Sequence, residues 1–423
     1  MQIKIKKIVY PGKSLSQIEG KIIFTDEGLP GESVEVEPVK EKNNFIEGKT
    51  VNIISPSAHR IKPRCSHYKI CAPYQYMDYD TQIKIKQAQL KEDFFAHQLK
   101  TDLPGLIFRP APNIWNYRNK ISFNIMWENN IPYLAYNLPD SPTQFEKIEE
   151  CFLVPGRINL LLKHMLGLIK DANMEFINKV VIKESSDKKN ILLTLYGDQR
   201  KELKDFSDSC EKLTTHFPIS GIIYICKNQN TSLTLSGNYF IKEFIGKTQF
   251  LIGAESFFQT NIEMLKILLE DMTKSILLDK NKIIADLYCG VGTFGILLAK
   301  KVSKVIGVES SKENISFLKK NIELNNITNF HIRKGDCRKL IESVLKTSPD
   351  VLIFNPPRKG LDKTICDHIL MKPPRAIAYI SCNPATLTRD LKILLSVYKL
   401  KKIFAYDFFP QTPHMETLVI LEK

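Results

Sequence analysis

With 423 residues, the chain is longer than one ordinary domain, and its 43% hydrophobic and 9% aromatic content supports buried cores and excludes a disordered protein. The formal net charge is +14, from 60 Lys and Arg against 46 Asp and Glu. That excess suits a polyanion such as RNA, whose condensed counterions basic side chains release, although a lysine-rich proteome would also make the chain basic.

Residues 1–9 alternate charged and apolar side chains and lack the apolar core of a secretory signal. No run approaches the roughly 20 apolar residues of a bilayer span. The expectation is a cytoplasmic protein with no membrane association and no obligate protein partner. Its nine cysteines are then candidate ligands or nucleophiles rather than disulfides.

Residues 1–57 read as a small β-barrel, with short strands over 3–9, 20–24, 33–37 and 50–54 split by turns such as Leu29-Pro30-Gly31. Such a barrel can be a packing module, but nucleic-acid binding is the favoured reading. Residues 58–250 form a mixed α+β region, with helices expected over 83–99 and 158–169. Strand-like runs in it cover 121–125, 180–182, 190–196 and 219–226.

Residues 251–423 are regular. A helix over 261–276 precedes strands over 283–287, 305–308, 330–332, 351–354 and 376–380, with helical stretches between them, including 313–324. This alternation predicts an α/β, doubly wound, Rossmann-like parallel sheet. Two last runs, 403–408 and 417–421, are expected to close the sheet as an antiparallel pair across a Pro-containing turn.

In the segment 286–295 a strand turns into a helix, and Gly290 and Gly292 let the backbone turn tightly beside a ligand. Glu309 ends the next strand, where a carboxylate can accept ribose hydroxyls. Asp336, Asn355 and Cys382 end the third, fourth and fifth strands. Ligands of open α/β sheets bind at these carboxyl ends. Gly290, Gly292 and Gly295 also fit the dinucleotide fingerprint, so an NAD-dependent oxidoreductase stays open at this point.

Asn355-Pro356-Pro357-Arg358 is a rigid turn in which Asn355 can bond a planar base or a cofactor, while Arg358 suits a phosphate or an electron-rich oxygen. Most single cysteines are inert core residues. Cys382, however, lies at a strand end, and a carboxylate, Glu416, comes after it in the final turn. Together they suit uracil chemistry. C5 of uracil is a weak nucleophile until a thiolate adds to C6, and a base must later remove the C5 proton.

Five segments, 256–261, 286–292, 355–360, 381–387 and 413–416, closely resemble the RNA uracil-5-methyltransferase family. Residues 1–55 resemble the TRAM barrel that some members carry, and 115–120 resemble a central family segment. The resemblance implies a class I methyltransferase fold and methyl transfer from S-adenosylmethionine to C5 of a uridine in RNA. It implies Cys382 as nucleophile and Glu416 as base, with Gln259, Tyr288, Glu309, Asp336 and Asn355 at cofactor or substrate positions. Asn355 stands where the family usually has Asp, which keeps hydrogen-bonding geometry and loses the charge. Large-subunit ribosomal RNA is the expected partner, with transfer RNA second.

Some members also hold a [4Fe–4S] cluster. Cys65, Cys71 and Cys151 match three of its ligands, while Tyr74 stands where another cysteine belongs. Tyrosine is a poor cluster ligand beside thiolates. The cysteines then hold a cluster on three thiolates or are the remnant of a lost site, and the second reading is favoured. Zinc would have only His67 nearby as a further ligand. Two other functional readings stand beside methyl transfer. One is a catalytically inert RNA-binding or assembly factor on the same fold. The other is the oxidoreductase, which gives Cys382 and Glu416 no joint role.

Overall fold

A computed structural model of the chain describes residues 1–96, 105–138, 141–199 and 203–423. The strands Gln2–Lys4 and Lys7–Val9 lie at opposite edges of one six-stranded sheet, although they are close neighbours in sequence. The sheet therefore curls until its edges meet. The linking residues bond both ways, Ile5 N–H to Glu32 O and Lys6 N–H to Leu15 O. Ile3, Ile5, Ile23, Val34, Val36 and Ile46 fill the inside.

This is the expected barrel, with one strand that sequence patterning does not reveal. Lys13–Ile18 turns Ser14 and Ser16 inward, where they donate to Gly28 O at 2.6 Å and Lys4 O at 2.7 Å. A polar inner face hides the apolar alternation by which strands are read. Arg60 ties the barrel to the central region, lying between Glu27 and Glu32. Tyr68 donates to Glu27 beside it at 2.6 Å.

The central region is built on a seven-stranded sheet. Its inner strands, Ile191–Gly197 and Ile219–Cys226, run parallel and are almost wholly buried. The helix Gly156–Asp171 covers it with Leu161, Leu162, Met165 and Ile169. A second helix spans Tyr79–Ala96; the expected 97–99 lies outside the described residues. The hairpin Phe240–Ile245/Thr248–Gly253 is separate and packs on the helix Lys312–Leu324. There Asn321 accepts from Leu251 N–H at 2.7 Å and donates to Leu251 O at 3.1 Å.

The C-terminal sheet has the order Phe330–Lys334, Lys304–Glu309, Ile283–Leu287, Val351–Phe354, Ala376–Ser381, Glu416–Glu422, Lys399–Tyr406 and Ile107–Arg109. The first five strands are parallel. Glu416–Glu422 and Lys399–Tyr406 then run antiparallel to each other, as the sequence predicts. The chain winds outward from Ile283–Leu287 in one direction and returns to Val351–Phe354 on the other side. That reversal opens a crevice at the carboxyl ends of these two strands. The last edge strand, Ile107–Arg109, comes from the central region. Three residues are too few to show a period, and Arg109 is fixed there by Asp271 at 2.7 and 2.9 Å.

Candidate active site

The first parallel strand ends in a turn of unusual backbone. Tyr288 has φ +60°, Gly290 +58° and Gly292 +92°. At Gly292 a Cβ would lie 2.5 Å from Leu318, so glycine is required for both space and conformation. The turn is held by two carboxylates. Asp286 accepts from Gly295 N–H at 2.8 Å, and burial pushes its carboxyl up to about 7. Glu309 accepts from Gly290, Ser310 and Ser311 N–H at 2.7–2.9 Å.

Tyr288, Glu309 and Asp336 line one cleft of about 220 Å³, together with Gly335, Arg338 and Pro357. Asp336 also caps the helix Cys337–Lys346 by accepting from Arg338 N–H at 2.8 Å. The Arg338 side chain bonds the same carboxylate and, with that backbone bond, holds it down at about 2. A glycine turn, a tyrosine ring and two carboxylates at the strand ends fit an adenosyl group.

Gln259 does not line this cleft and lies on a segment clamped by other elements. Lys183 is buried and donates to Gly253, Ala254 and Ser256 carbonyls at 2.6–2.9 Å. Asn119 donates its side-chain amide to Gln259 O at 3.1 Å and its N–H to Thr260 O at 3.0 Å. The resemblance to the family at 115–120 thus falls on residues that pin the Gln259 segment. Tyr117 in that stretch is buried, with its hydroxyl bonded to Pro410 O at 3.2 Å, so it does not face RNA. Trp115 packs under Arg64 at 4.3 Å.

Cys382 and Glu416 come together through sheet register. Ser381 pairs with Thr417 in the antiparallel ladder, so the next residue of one strand lies beside the preceding residue of the other. Thr417 Oγ1 donates to Ser381 O at 2.9 Å and fixes this end. Burial pushes the Cys382 thiol up to about 11; Glu416 adds to the rise and Arg358 opposes it. Burial likewise pushes the Glu416 carboxyl up to about 8 against Arg358, and Glu416 Oε2 has no hydrogen-bond partner. A buried carboxyl with an unbonded oxygen beside a thiol, held near neutral pH by its burial, is the kind of group that can exchange a proton.

Across the strand ends the order is Asp336, Glu309, Tyr288, Asn355, Cys382, then Glu416. Strands lie about 4.8 Å apart, so Glu309 and Cys382 are separated by roughly 14 Å. Asn355 sits one strand from Cys382 and two from Glu309, half-buried.

Sequence reasoning misses the support beneath the pair. Lys86, fully buried, donates to Asp407 at 2.5 Å and to the Phe409 and His414 carbonyls at 3.2 and 3.0 Å. Tyr79 donates to the same Asp407 at 2.8 Å. The signal available was Asp407 within the apolar run 403–409, an acid that burial obliges to find a cation.

The three cysteines of the sequence pattern pack near one another. Cys65, Cys71 and Cys151 are near enough for charge on one to raise another, and burial pushes Cys71 up to about 12. Gln75 donates to Cys65 Sγ at 3.3 Å. Tyr74 is buried in a separate apolar cluster and accepts from Gln89 at 3.0 Å. Among the described residues no group of three or more His, Cys, Asp or Glu is arranged to hold a metal ion. Tyr74, in the place of the missing cysteine, therefore lies apart from the three thiols.

The profile of the family described as tRNA (Uracil-5-)-methyltransferase matches residues 78–423. A Bacillus cereus protein named as an uncharacterized RNA methyltransferase is 28% identical over 100% of this chain and 96% of its own. One from Bacteroides thetaiotaomicron, named in the same way, is 29% identical over 97% of this chain and 99% of its own. The crystal structure of the Pyrococcus abyssi tRNA (uracil-54, C5)-methyltransferase with S-adenosyl-L-homocysteine shares the fold. Its TM-score is 0.77 at 24% identity, over 100% of this chain and 99% of that one.

Proposed function

The chain belongs to the tRNA (uracil-5-)-methyltransferase family, and from that premise we propose that Cys382 and Glu416 carry out methylation of a uridine at C5. As a member it is an S-adenosylmethionine-dependent RNA methyltransferase, which sets aside the oxidoreductase reading. The observation that carries the proposal is the register pair Ser381–Thr417, which places thiol and carboxyl side by side.

The cofactor supplies an electrophilic methyl group; Tyr288, Glu309 and Asp336 would hold its adenosyl part, with Gln259 and Asn355 toward the reacting end. Cys382 Sγ adds as the thiolate to C6 of the base, and the electrons of the C5=C6 bond pass to C5 and the adjoining carbonyl. C5 is then nucleophilic enough to take the methyl group. Glu416 removes the proton from C5, the double bond re-forms, and the C6–S bond breaks to release Cys382. Arg358 opposes the rise of both groups and so favours their ionised forms. The target base must be unstacked to reach this depth.

Large-subunit ribosomal RNA is the substrate suggested by the TRAM-like barrel and the cysteine remnant. Transfer RNA is favoured by a different observation. The Pyrococcus abyssi enzyme, named for uracil 54 of tRNA, matches the whole chain, barrel included. RNA carrying 5-fluorouridine separates these readings, because fluorine at C5 cannot leave as a proton. A cofactor-dependent protein–RNA band on a denaturing gel, lost in Cys382→Ala, is expected with one of the two RNAs. No band with either would point to an inert RNA-binding factor.

A further inference from the structure

The barrel touches the segment that leads to Glu416. Its hairpin Lys7–Val9/Lys13–Ile18 turns at Tyr10-Pro11-Gly12, and this turn lies against Pro413-His414 in the segment leading to Glu416. Tyr10 OH is 3.2 Å from His414 Nδ1, and the two rings meet edge to face at 5.9 Å between centroids. At Gly12, φ is +107°, and an added Cβ would lie 3.4 Å from both Pro413 and Tyr74. The turn is thus closely seated on the catalytic domain.

Its seat is built from residues that the reaction does not use. Gln89 donates to Ile8 O in the hairpin and to Tyr74 OH, each at 3.0 Å. Tyr74 N–H donates to Gln411 O at 2.9 Å. The residue that displaces an expected cysteine therefore packs beneath the hairpin turn. Lys86 holds the other side by donating to His414 O at 3.0 Å.

The geometry points to Tyr10 as a positioning residue that forms one wall of the target-base pocket, with the barrel part of the active site. This rests on the reading of Cys382 and Glu416 as the reacting pair. Tyr10 is half-buried, and Arg358, Cys382 and Glu416 all lie close enough to influence its hydroxyl. Its ring offers an extruded pyrimidine an aromatic surface, and the bond to His414 fixes its orientation. Burial, first, with Arg358, Lys86 and Arg118, lowers His414 to about 4, so the imidazole is neutral and can share a proton with Tyr10.

The test measures the single-turnover rate of adduct formation with 5-fluorouridine RNA and, separately, RNA affinity by anisotropy. Tyr10→Ala should slow the adduct roughly tenfold or more while affinity changes less than about threefold. Tyr10→Phe keeps the ring and loses the bond to His414, and its rate should fall between wild type and Tyr10→Ala. Equal losses of rate and affinity, or an unchanged rate in Tyr10→Ala, would reduce the barrel to an RNA grip and overturn the proposal alone. Absence of adduct in the wild type would overturn the Cys382–Glu416 reading and this proposal with it.

Discussion

The ammonium of Lys86 meets the carboxylate of Asp407 at 2.5 Å, with neither side chain exposed to solvent. One lies on the helix Tyr79–Ala96 and the other just after the strand Lys399–Tyr406, so the pair locks the central region to the segment that delivers His414 and Glu416. Lys86→Met leaves the Asp407 charge buried with the Tyr79 hydroxyl as its remaining side-chain donor among the described residues. The expected cost is about 3–5 kcal/mol. Chemical denaturation should show most of that loss recovered in Lys86→Met/Asp407→Leu, while catalysis stays low because the His414 carbonyl has lost its donor.

Glu416→Gln should separate the two halves of the reaction. Cys382 can still add to the base, but no carboxylate remains to take the C5 proton. A covalent complex with ordinary uridine RNA should accumulate on a denaturing gel, with turnover down roughly a hundredfold or more.

The same substitution has a pH signature. An unfolded Glu titrates near 4.3, whereas burial holds Glu416 at about 8. The folded state therefore retains a proton that the unfolded chain gives up, and stability from this group is lost as pH rises from about 4 to about 8. Glu416→Gln escapes that loss. Its melting temperature should match wild type near pH 4 and exceed it by roughly 3 °C at pH 9. In the wild type, turnover should rise with pH through about 8 as the base ionises.

Asp336 gives a prediction for the cofactor cleft. Arg338 occupies its carboxylate, and a ligand hydroxyl would have to share it. Asp336→Asn should weaken S-adenosylmethionine binding about tenfold by calorimetry. Arg338→Ala should bind at least as tightly as wild type, since it removes a competitor for the same oxygens.

Read as a remnant, Cys65, Cys71 and Cys151 predict that protein purified without oxygen carries no stoichiometric iron by elemental analysis. Cys71→Ser should leave cofactor binding unchanged. Tyr74→Cys should not create a cluster site, because residue 74 faces Gln89 and the hairpin turn. Iron recovered with the wild type would show that the three thiolates hold a cluster after all.

The C-terminal sheet was legible because its strands are buried on both faces and read as apolar runs, such as Val351–Phe354, with turn residues at their ends. The same logic singled out Glu309, Asp336, Asn355 and Cys382, since each stands at or just beyond the end of such a run, whereas Tyr288 came only from the family resemblance. Lys13–Ile18 and Ile107–Arg109 were not legible, one for its inward serines and the other for its length.

By itself, the sequence determined the strand ends and the residue types standing on them, because local periodicity and turn chemistry act over a few neighbours. Only the tertiary structure decided which of those residues meet. Strand register put Cys382 beside Glu416, a buried charge drew Lys86 to Asp407, and a seated turn brought Tyr10 to His414. Such contacts join residues tens to hundreds of positions apart. They depend on burial and pairing across the fold, which no local pattern records.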